Sequence, residues 1–134
     1  MEPKIFFLIV CREVLQSVDD ARQIGCIHIY DTLYASNFPH TIPKMTFVAR
    51  YGLGQGTFTH HFEIHDQGRL LYKAPPTEFI LPSEFDSATD VFTLDDIAIE
   101  SAGIYWIKSC INGVEAARTP LLVTFLPESG EDRA

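Results

Sequence analysis

The residue types best suited to chemistry stand in one short segment, His61-Phe62-Glu63-Ile64-His65, in which polar and apolar residues alternate. Alternate residues of a β-strand project from the same face, so His61, Glu63 and His65 are predicted to share one face. Imidazole and carboxylate groups bind metal ions and exchange protons. The segment is therefore the candidate site of a metal-dependent enzyme.

The spacing of this segment speaks against a metal site built from it alone. A strand separates His61 from His65 by roughly 13 Å, which is too far for both to bind one ion. Only an adjacent pair with a ligand from a second strand would bind a metal. Polar residues mostly lie at the surface, so we interpret the three side chains as a solvated polar face and predict neither metal nor cofactor.

His60 has the opposite parity and falls with Phe58 and Phe62 on the apolar face of the same segment. Histidines inside proteins are normally hydrogen-bonded through their ring nitrogens. His60 is therefore predicted to be a core residue with satisfied nitrogens.

Other groupings that suggest a site have simpler structural interpretations. Cys26 and His28 share a strand face, but no residue that would orient the pair as a nucleophile is evident. Asp95 and Asp96 lack a calcium-loop pattern and are expected in a turn that ends a strand. The glycine-rich run at residues 52–56 leads into a strand, so it lacks the helix N-terminus of a phosphate site. Neither Gly-x-Ser-x-Gly nor His-Glu-x-x-His occurs, and no catalytic residue is predicted.

The charge of the chain limits its partners. With 10 basic and 18 acidic residues the formal net charge is −8, and no local cluster of lysine or arginine stands out. Phosphate backbones and anionic lipids repel such a protein, so neither nucleic acid nor a membrane is a predicted partner. A neutral or basic protein partner would be attracted.

The N-terminal apolar run at residues 5–10 and the cysteine count favour a cytoplasmic protein. The run is six residues long, whereas about 20 are needed to span a bilayer, and no signal-peptide cleavage site follows it. The cysteines number three, without a CxxC pair. They are predicted to be free thiols, as is usual in the cytoplasm.

Short runs with a period of two, separated by glycine, proline and aspartate, extend along the chain and predict an all-β protein. The strands are placed at residues 4–11, 23–35, 44–51, 57–66, 69–74, 77–81, 89–95, 104–111 and 114–126. A short helix or a loop is suggested at residues 12–22. No repeat or linker divides the chain, so residues 1–127 are predicted to form one β-sandwich domain and residues 128–134 a flexible acidic tail.

Two positions near the end of the chain carry local backbone information. Asn112-Gly113 predicts a two-residue hairpin turn, because both residues tolerate a positive φ. The strands on either side are therefore predicted neighbours. Pro120 cannot donate to a strand ladder, so the last strand is expected to lie at an edge or to bend there.

The spacing Phe92-x-Leu94-x-x-Ile97-x-x-x-Ser101-x-Gly103-x-Tyr105-x-Ile107 resembles the segment from strand E to strand F of immunoglobulin-like domains. The resemblance implies an immunoglobulin-like antiparallel β-sandwich of about seven to nine strands with Greek-key connections. It also implies a structural corner in which Tyr105, following Gly103, hydrogen-bonds back to the turn. Ile107 stands where antibody domains have a disulfide cysteine, so this resemblance brings no core disulfide.

A second resemblance rests on Gly25-x-x-x-x-Tyr30, Asn37-Phe38-Pro39, Pro43, Val48-Ala49-Arg50, Gly103-x-Tyr105 and Asn112-Gly113. These positions are similar to those of an uncharacterised family of small bacterial all-β proteins of unknown function. The resemblance covers nearly the whole chain and implies no active-site residues.

Two segments are apolar on both faces and need cover beyond the core of a two-layer sandwich. They provide the interface candidates Phe7 and Ile9 in the first predicted strand, and Leu122 and Leu126 in the last. In immunoglobulin-like topologies the first strand can pair beside the last, which would merge the segments into one outward patch. A homodimer or partner-protein interface then competes with an intramolecular lid at residues 14–18.

Three functions remain in competition. The first is a non-enzymatic protein-interaction or structural module with a protein partner or a second copy of the chain. The second is a β-sandwich that binds a small ligand such as a sugar or a nucleotide. The third is a metal-dependent enzyme that uses the face formed by His61, Glu63 and His65.

Overall fold

The structure is a computed structural model that describes residues 2–20 and 23–127, so the tail predicted at residues 128–134 lies outside the described residues. The regular structure of the described residues consists of strands alone, which confirms the prediction of an all-β protein. The strands are β1 (Lys4–Gln16), β2 (Ile24–Ile29), β3 (Thr32–Ala35), β4 (His40–Gly52), β5 (Gly56–Asp66), β6 (Arg69–Lys73), β7 (Thr77–Leu81), β8 (Ser87–Ile99), β9 (Gly103–Ile111) and β10 (Val114–Phe125).

The strands form two sheets. The four-stranded sheet has the order β2-β1-β4-β8, and the six-stranded sheet has the order β3-β10-β9-β5-β6, with β7 also paired to β5. Neighbouring strands are antiparallel except β3 and β10, which are parallel.

The core lies between the inward faces of the two sheets. Phe47 of β4 packs against Phe62 of β5, with ring centroids 5.6 Å apart. Tyr105, Ile107 and Leu121 are also buried in this cluster. Such burial contributes roughly 1.5–3 kcal/mol for each large apolar side chain. The two sheets therefore pack against each other through alternate residues of the long strands.

The region predicted as a helix at residues 12–22 is a strand as far as residue 16, and this prediction is wrong there. Val14 pairs with Cys26 and Leu15 with Gly25, so β2 supplies backbone partners that make β1 longer than its sequence pattern suggests. Tertiary pairing of this kind overrides weak helical spacing. No helix occurs among residues 2–20 and 23–127, and residues 21 and 22 lie outside the described part.

The strand predicted at residues 23–35 is in fact two strands that belong to different sheets. The Tyr30 amide donates to the Val10 carbonyl of β1 (2.7 Å), whereas the Leu122 amide of β10 donates to the Asp31 carbonyl (2.8 Å). The chain therefore crosses from the four-stranded to the six-stranded sheet at Tyr30-Asp31.

The pairing of the first strand with the last, which immunoglobulin-like topologies allow, does not occur among the described residues. β1 pairs with β2 and β4, whereas β10 pairs with β9 and β3. Phe7 and Ile9 lie in the four-stranded sheet and Leu122 in the six-stranded one, so strand pairing does not merge them into one patch. Leu126 follows β10, and its amide donates to the Ala35 carbonyl (2.9 Å).

Asn112 and Gly113 form the turn between β9 and β10, with φ values of 52° and 81°. Pro120 pairs with Trp106 of β9, and β3 joins β10 only from Leu122 onward. The strand therefore has a single neighbour at the position that lacks an amide hydrogen. None of the described residues forms a helix of the length and apolarity that crossing a membrane requires.

Candidate functional site

β5 places polar side chains on both faces of the six-stranded sheet. It lies between β9 on one side and β6 and β7 on the other. Phe62 and Ile64 are part of the core, and His60 shares their parity. His61, Glu63 and His65 have the opposite parity and project outward.

Glu63 connects the two outward histidines. Nε2 of His61 lies 2.7 Å from Oε2 of Glu63, and Nε2 of His65 lies 2.7 Å from Oε1. Burial by itself raises the pKa of Glu63, but the hydrogen bonds from His61 and His65 outweigh it and lower this pKa to about 2. Since the ionised carboxylate only accepts hydrogen bonds, each imidazole donates its Nε2 hydrogen.

A cysteine from the neighbouring strand completes this cluster. Cys110 of β9 pairs with His61 in the ladder. The ligand atoms of His61, Glu63 and Cys110 all lie within 4.8 Å of one another. Burial raises the pKa of the Cys110 thiol to about 12, with a further contribution from the charge of Glu63, so the thiol is protonated at neutral pH.

Ion pairs on β9 and β10 border the cluster. Nζ of Lys108 lies 2.9 Å from Oε1 of Glu115, and Nε of Arg118 lies 2.7 Å from Oε2. Hydrogen bonds from Arg118 and Lys108 hold the pKa of Glu115 below its ordinary value. The Arg118 guanidinium lies 5.4 Å from the ring centroid of Trp106. The outer face therefore carries balanced charges around the histidine-carboxylate cluster.

The structure corrects the expectation of a solvated polar face. His61 and Cys110 are each only 2% exposed, and Glu63 and His65 are half-buried. The expected separation of roughly 13 Å between His61 and His65 holds for side chains perpendicular to the strand. Here both imidazoles lean toward the Glu63 carboxylate between them. The three predicted residues are thus brought together.

Cys110 is the member of this cluster that sequence reasoning missed. Its parity, opposite to that of Tyr105 and Ile107, correctly indicates the outward face. Its position beside His61 depends on the pairing of β5 with β9, which no local pattern specifies.

On the inward face, His60 makes two hydrogen bonds that sequence reasoning did not identify. Its Nδ1 lies 2.7 Å from Oδ2 of Asp90 and donates to it, because an ionised carboxylate only accepts hydrogen bonds, and its Nε2 lies 2.5 Å from Oγ of Ser109. His60 is fully buried, which confirms the prediction of a satisfied core histidine. Asp90, His60 and Ser109 are therefore connected in the same order as the acid, histidine and serine of a serine-hydrolase triad. Because Ser109 is also fully buried, a substrate has no access to its hydroxyl group.

A cavity of about 510 Å³ opens between the two sheets, away from the His60 contacts. β5 and β6 contribute Ile64, Asp66, Arg69, Leu71 and Tyr72, and the opposite wall comes from β8 and the residues that follow it. Its volume is within the ordinary range of small-ligand pockets.

The other sequence candidates do not form sites. His28 is exposed with φ of 56°, and Cys26 is half-buried. Asp95 and Asp96 lie inside β8 rather than in a turn that ends it, and the positive φ of Asp96 marks a local irregularity of that strand. The three cysteines are free. The glycine-rich run connects β4 of the four-stranded sheet to β5 of the six-stranded sheet, so it is a crossing between the sheets and not a hairpin loop.

The structural-corner residues lie at the start of β9. The Tyr105 hydroxyl donates to the Ser101 carbonyl (2.6 Å), and Gly103 has φ of 154°. Among the interface candidates, Phe7 and Ile9 are half-buried, whereas Leu122 and Leu126 are exposed.

Comparison with known proteins gives a match over most of the chain. Residues 7–124 match the model of a family of unknown function, DUF6941. No curated protein matches the chain.

Proposed function

The chain belongs to the DUF6941 family of unknown function, and we propose that it is a non-enzymatic protein-interaction module whose outward four-stranded face binds a partner protein. The observation that carries this proposal is a set of three rows of residues paired across neighbouring strands on that face, which we call the apolar face. Its residues are Phe7, Arg50 and Thr89; Ile9, Val48 and Val91; and Ile29, Cys11, Thr46 and Thr93.

The polar groups of the apolar face are occupied by one another. Oγ1 of Thr46 donates to the Arg12 carbonyl (3.0 Å) and lies 3.1 Å from Oγ1 of Thr93. Nε of Arg50 donates to Oγ1 of Thr89 (3.0 Å), and its guanidinium lies 5.3 Å from the ring centroid of Phe7. Cys11, Thr46 and Val48 are buried, so the apolar surface that faces solvent comes from Ile29 and Val91 at the two edges of the sheet, with Phe7 and Ile9 half-buried between them. Exposed apolar side chains grouped on one face of a sheet often mark a protein-binding site.

The charge of the chain favours a different protein over a second copy. Two molecules with a formal charge of −8 each repel one another before contact. A neutral or basic partner meets no such barrier. The three rows of the apolar face contain Arg50 and no carboxylate. A partner therefore meets less negative charge at this face than the charge of the whole chain would suggest.

An immunoglobulin-like topology, which we propose for this sandwich, supports the proposed binding function. β4 and β8 share one sheet while β5, β9 and β10 share the other, an arrangement that fits the corresponding strands of immunoglobulin-like sandwiches. Such sandwiches commonly serve as binding scaffolds, which is support by analogy. We extend the proposal to a bacterial, cytoplasmic module, supported by the family resemblance and the free cysteines.

The test compares Val91→Glu with Val114→Glu. Val91 is 40% exposed on the apolar face, and Val114 is 64% exposed on β10. Wild-type protein and both variants are used as baits in extract of the source organism, with retained proteins quantified by mass spectrometry. We expect a partner that Val91→Glu loses and Val114→Glu keeps, and a reconstituted complex with the purified partner. Equal retention by all three baits would overturn the proposal. A dimer in light scattering that only Val91→Glu dissociates would replace the partner with a second copy.

The cavity between the sheets favours a second candidate, the binding of a small neutral ligand such as a sugar. Asp66, Asp95 and Glu100 line it, and Arg69 is its basic group, so a phosphate-bearing ligand is disfavoured. Leu71→Trp fills the cavity, whereas Leu70→Trp alters a neighbouring residue outside the lining. Sugar-induced nuclear magnetic resonance shifts that only Leu71→Trp abolishes would support this candidate, and a sugar panel without shifts would remove it.

A further inference from the structure

We propose that His61, Glu63 and Cys110 bind one zinc ion on the outward face of the six-stranded sheet. The donor set is an imidazole nitrogen, a carboxylate oxygen and a thiol sulfur, whose ligand atoms lie within 4.8 Å of one another. Zinc accepts all three donor types, and the thiolate discriminates against magnesium and calcium. This site is independent of the protein-binding function proposed above, because the apolar face lies on the other sheet.

The two strands fix the backbone of the site. His61 and Glu63 are separated by one residue on β5, and Cys110 is the cross-strand partner of His61 on β9. Zinc bonds of about 2.0–2.3 Å place tetrahedral ligand atoms roughly 3.5 Å apart, so side-chain adjustment is sufficient for binding. This is the arrangement that strand spacing demands, an adjacent pair with a ligand from a second strand.

The surroundings orient the ligands. Nε2 of His65 lies 2.7 Å from Oε1 of Glu63 and positions that carboxylate, while Oε2 faces His61. A hydrogen-bonded partner behind a metal ligand fixes its direction and strengthens binding. His61 and Cys110 are each 2% exposed, so few ligand conformations are lost when the ion binds.

The charge and proton balance is simple. Cys110 releases its thiol proton to solvent, and the proton on Nε2 of His61 is exchanged for one on Nδ1. The thiolate and the Glu63 carboxylate then neutralise the two charges of the ion. Three protein ligands leave a fourth tetrahedral position, which a water molecule fills.

The first experiment uses the wild-type protein and requires no variant. The full chain is treated with a chelator, the chelator is removed, and cobalt is added as a spectroscopic substitute for zinc. We expect a thiolate-to-cobalt charge-transfer band and tetrahedral visible absorption, both displaced by one equivalent of zinc. Absence of the thiolate band at saturating cobalt would overturn the proposal.

The second experiment measures zinc affinity by competition with a chromophoric chelator. Cys110→Ser is matched with Cys26→Ser, and His61→Ala with His28→Ala, because the control residues lie outside the cluster. We expect the Cys110 and His61 variants to lose the site and both controls to keep it. His65→Gln should weaken binding by about 10- to 100-fold, as a partner behind a ligand does. Zinc affinity that is equal in Cys110→Ser and Cys26→Ser, with both folded by circular dichroism, would contradict the proposal.

Discussion

His60 of β5 and Asp90 of β8 form a direct hydrogen bond between the two sheets, with Nδ1 of His60 2.7 Å from Oδ2 of Asp90. The other ring nitrogen, Nε2, lies 2.5 Å from Oγ of Ser109 in the neighbouring strand β9. Tyr51 and Phe62 pack on the imidazole, with centroid distances of 4.8 and 4.7 Å. A chain of polar contacts, from Asp90 through His60 to Ser109, thus crosses the core from one sheet to the other.

Asp90→Ala is expected to destabilise the protein by about 1–3 kcal/mol, because it leaves a buried imidazole hydrogen without an acceptor. Asp95→Ala, at an exposed position of the same strand, should change the free energy of unfolding by less than about 0.5 kcal/mol. Urea denaturation of the two variants measures the difference. Equal midpoints for both variants would show that the contact between the sheets adds no stability.

Tyr105→Phe is expected to cost about 1 kcal/mol, because it removes the hydroxyl that donates to Ser101. The aromatic ring keeps its place in the core, so packing is unchanged. Tyr34→Phe is the control, since Tyr34 is 60% exposed. A urea midpoint that Tyr105→Phe leaves unaltered would argue against a stabilising corner bond.

The free energy of unfolding should depend on the ionisation of Glu63. Its pKa is lowered from 4.5 to about 2 in the folded protein, so the stabilisation is complete above about pH 4.5 and is lost as the pH falls toward 2. After allowance for solvent screening it is on the order of 1–2 kcal/mol. In denaturation experiments with a chelator present, the free energies of unfolding of wild type and Glu63→Gln should converge as the pH falls from about 4.5 toward 2. Glu84→Gln should remain parallel to wild type, and a constant gap between wild type and Glu63→Gln would contradict the assignment.

The thiols should differ in their reactivity. Burial raises the pKa of Cys11 to about 11 and that of Cys110 to about 12, and the thiolate is the reactive form. Cys26 is half-buried, so an alkylating agent at neutral pH should modify it first. Mass spectrometry of timed samples measures the order. The denatured, unreduced protein should yield three thiols, and a count of one would indicate a disulfide.

The alternation of polar and apolar residues correctly predicted which face of the sheet each side chain of β5 occupies. The alternation of residues 58–65 assigned His60 to the core and His61 to the opposite face, because side-chain direction in a strand depends only on position. The burial of His61 was not predictable in the same way. It depends on which strand lies beside β5 and on the side chains which that strand carries.

The errors at the N-terminal region have the same origin. The spacing of Val14, Leu15 and Val18 is compatible with a helix, and only pairing with β2 makes this region extended. The crossing at Tyr30-Asp31 is likewise determined by partners, Val10 on one side and Leu122 on the other. A period-two pattern continues through the crossing, so it does not mark the change of sheet.

The parallel pairing of β3 with β10 places Thr32 beside Leu122 and leaves most of the chain between them. During synthesis, β3 emerges from the ribosome long before its partner exists. The six-stranded sheet is therefore completed only after translation of β10, and the final closure has the slow kinetics of contacts between distant parts of a chain. Until that moment Leu33 and Ala35 must remain without their permanent neighbours, and this is the interval in which a nascent chain depends most on protection from aggregation.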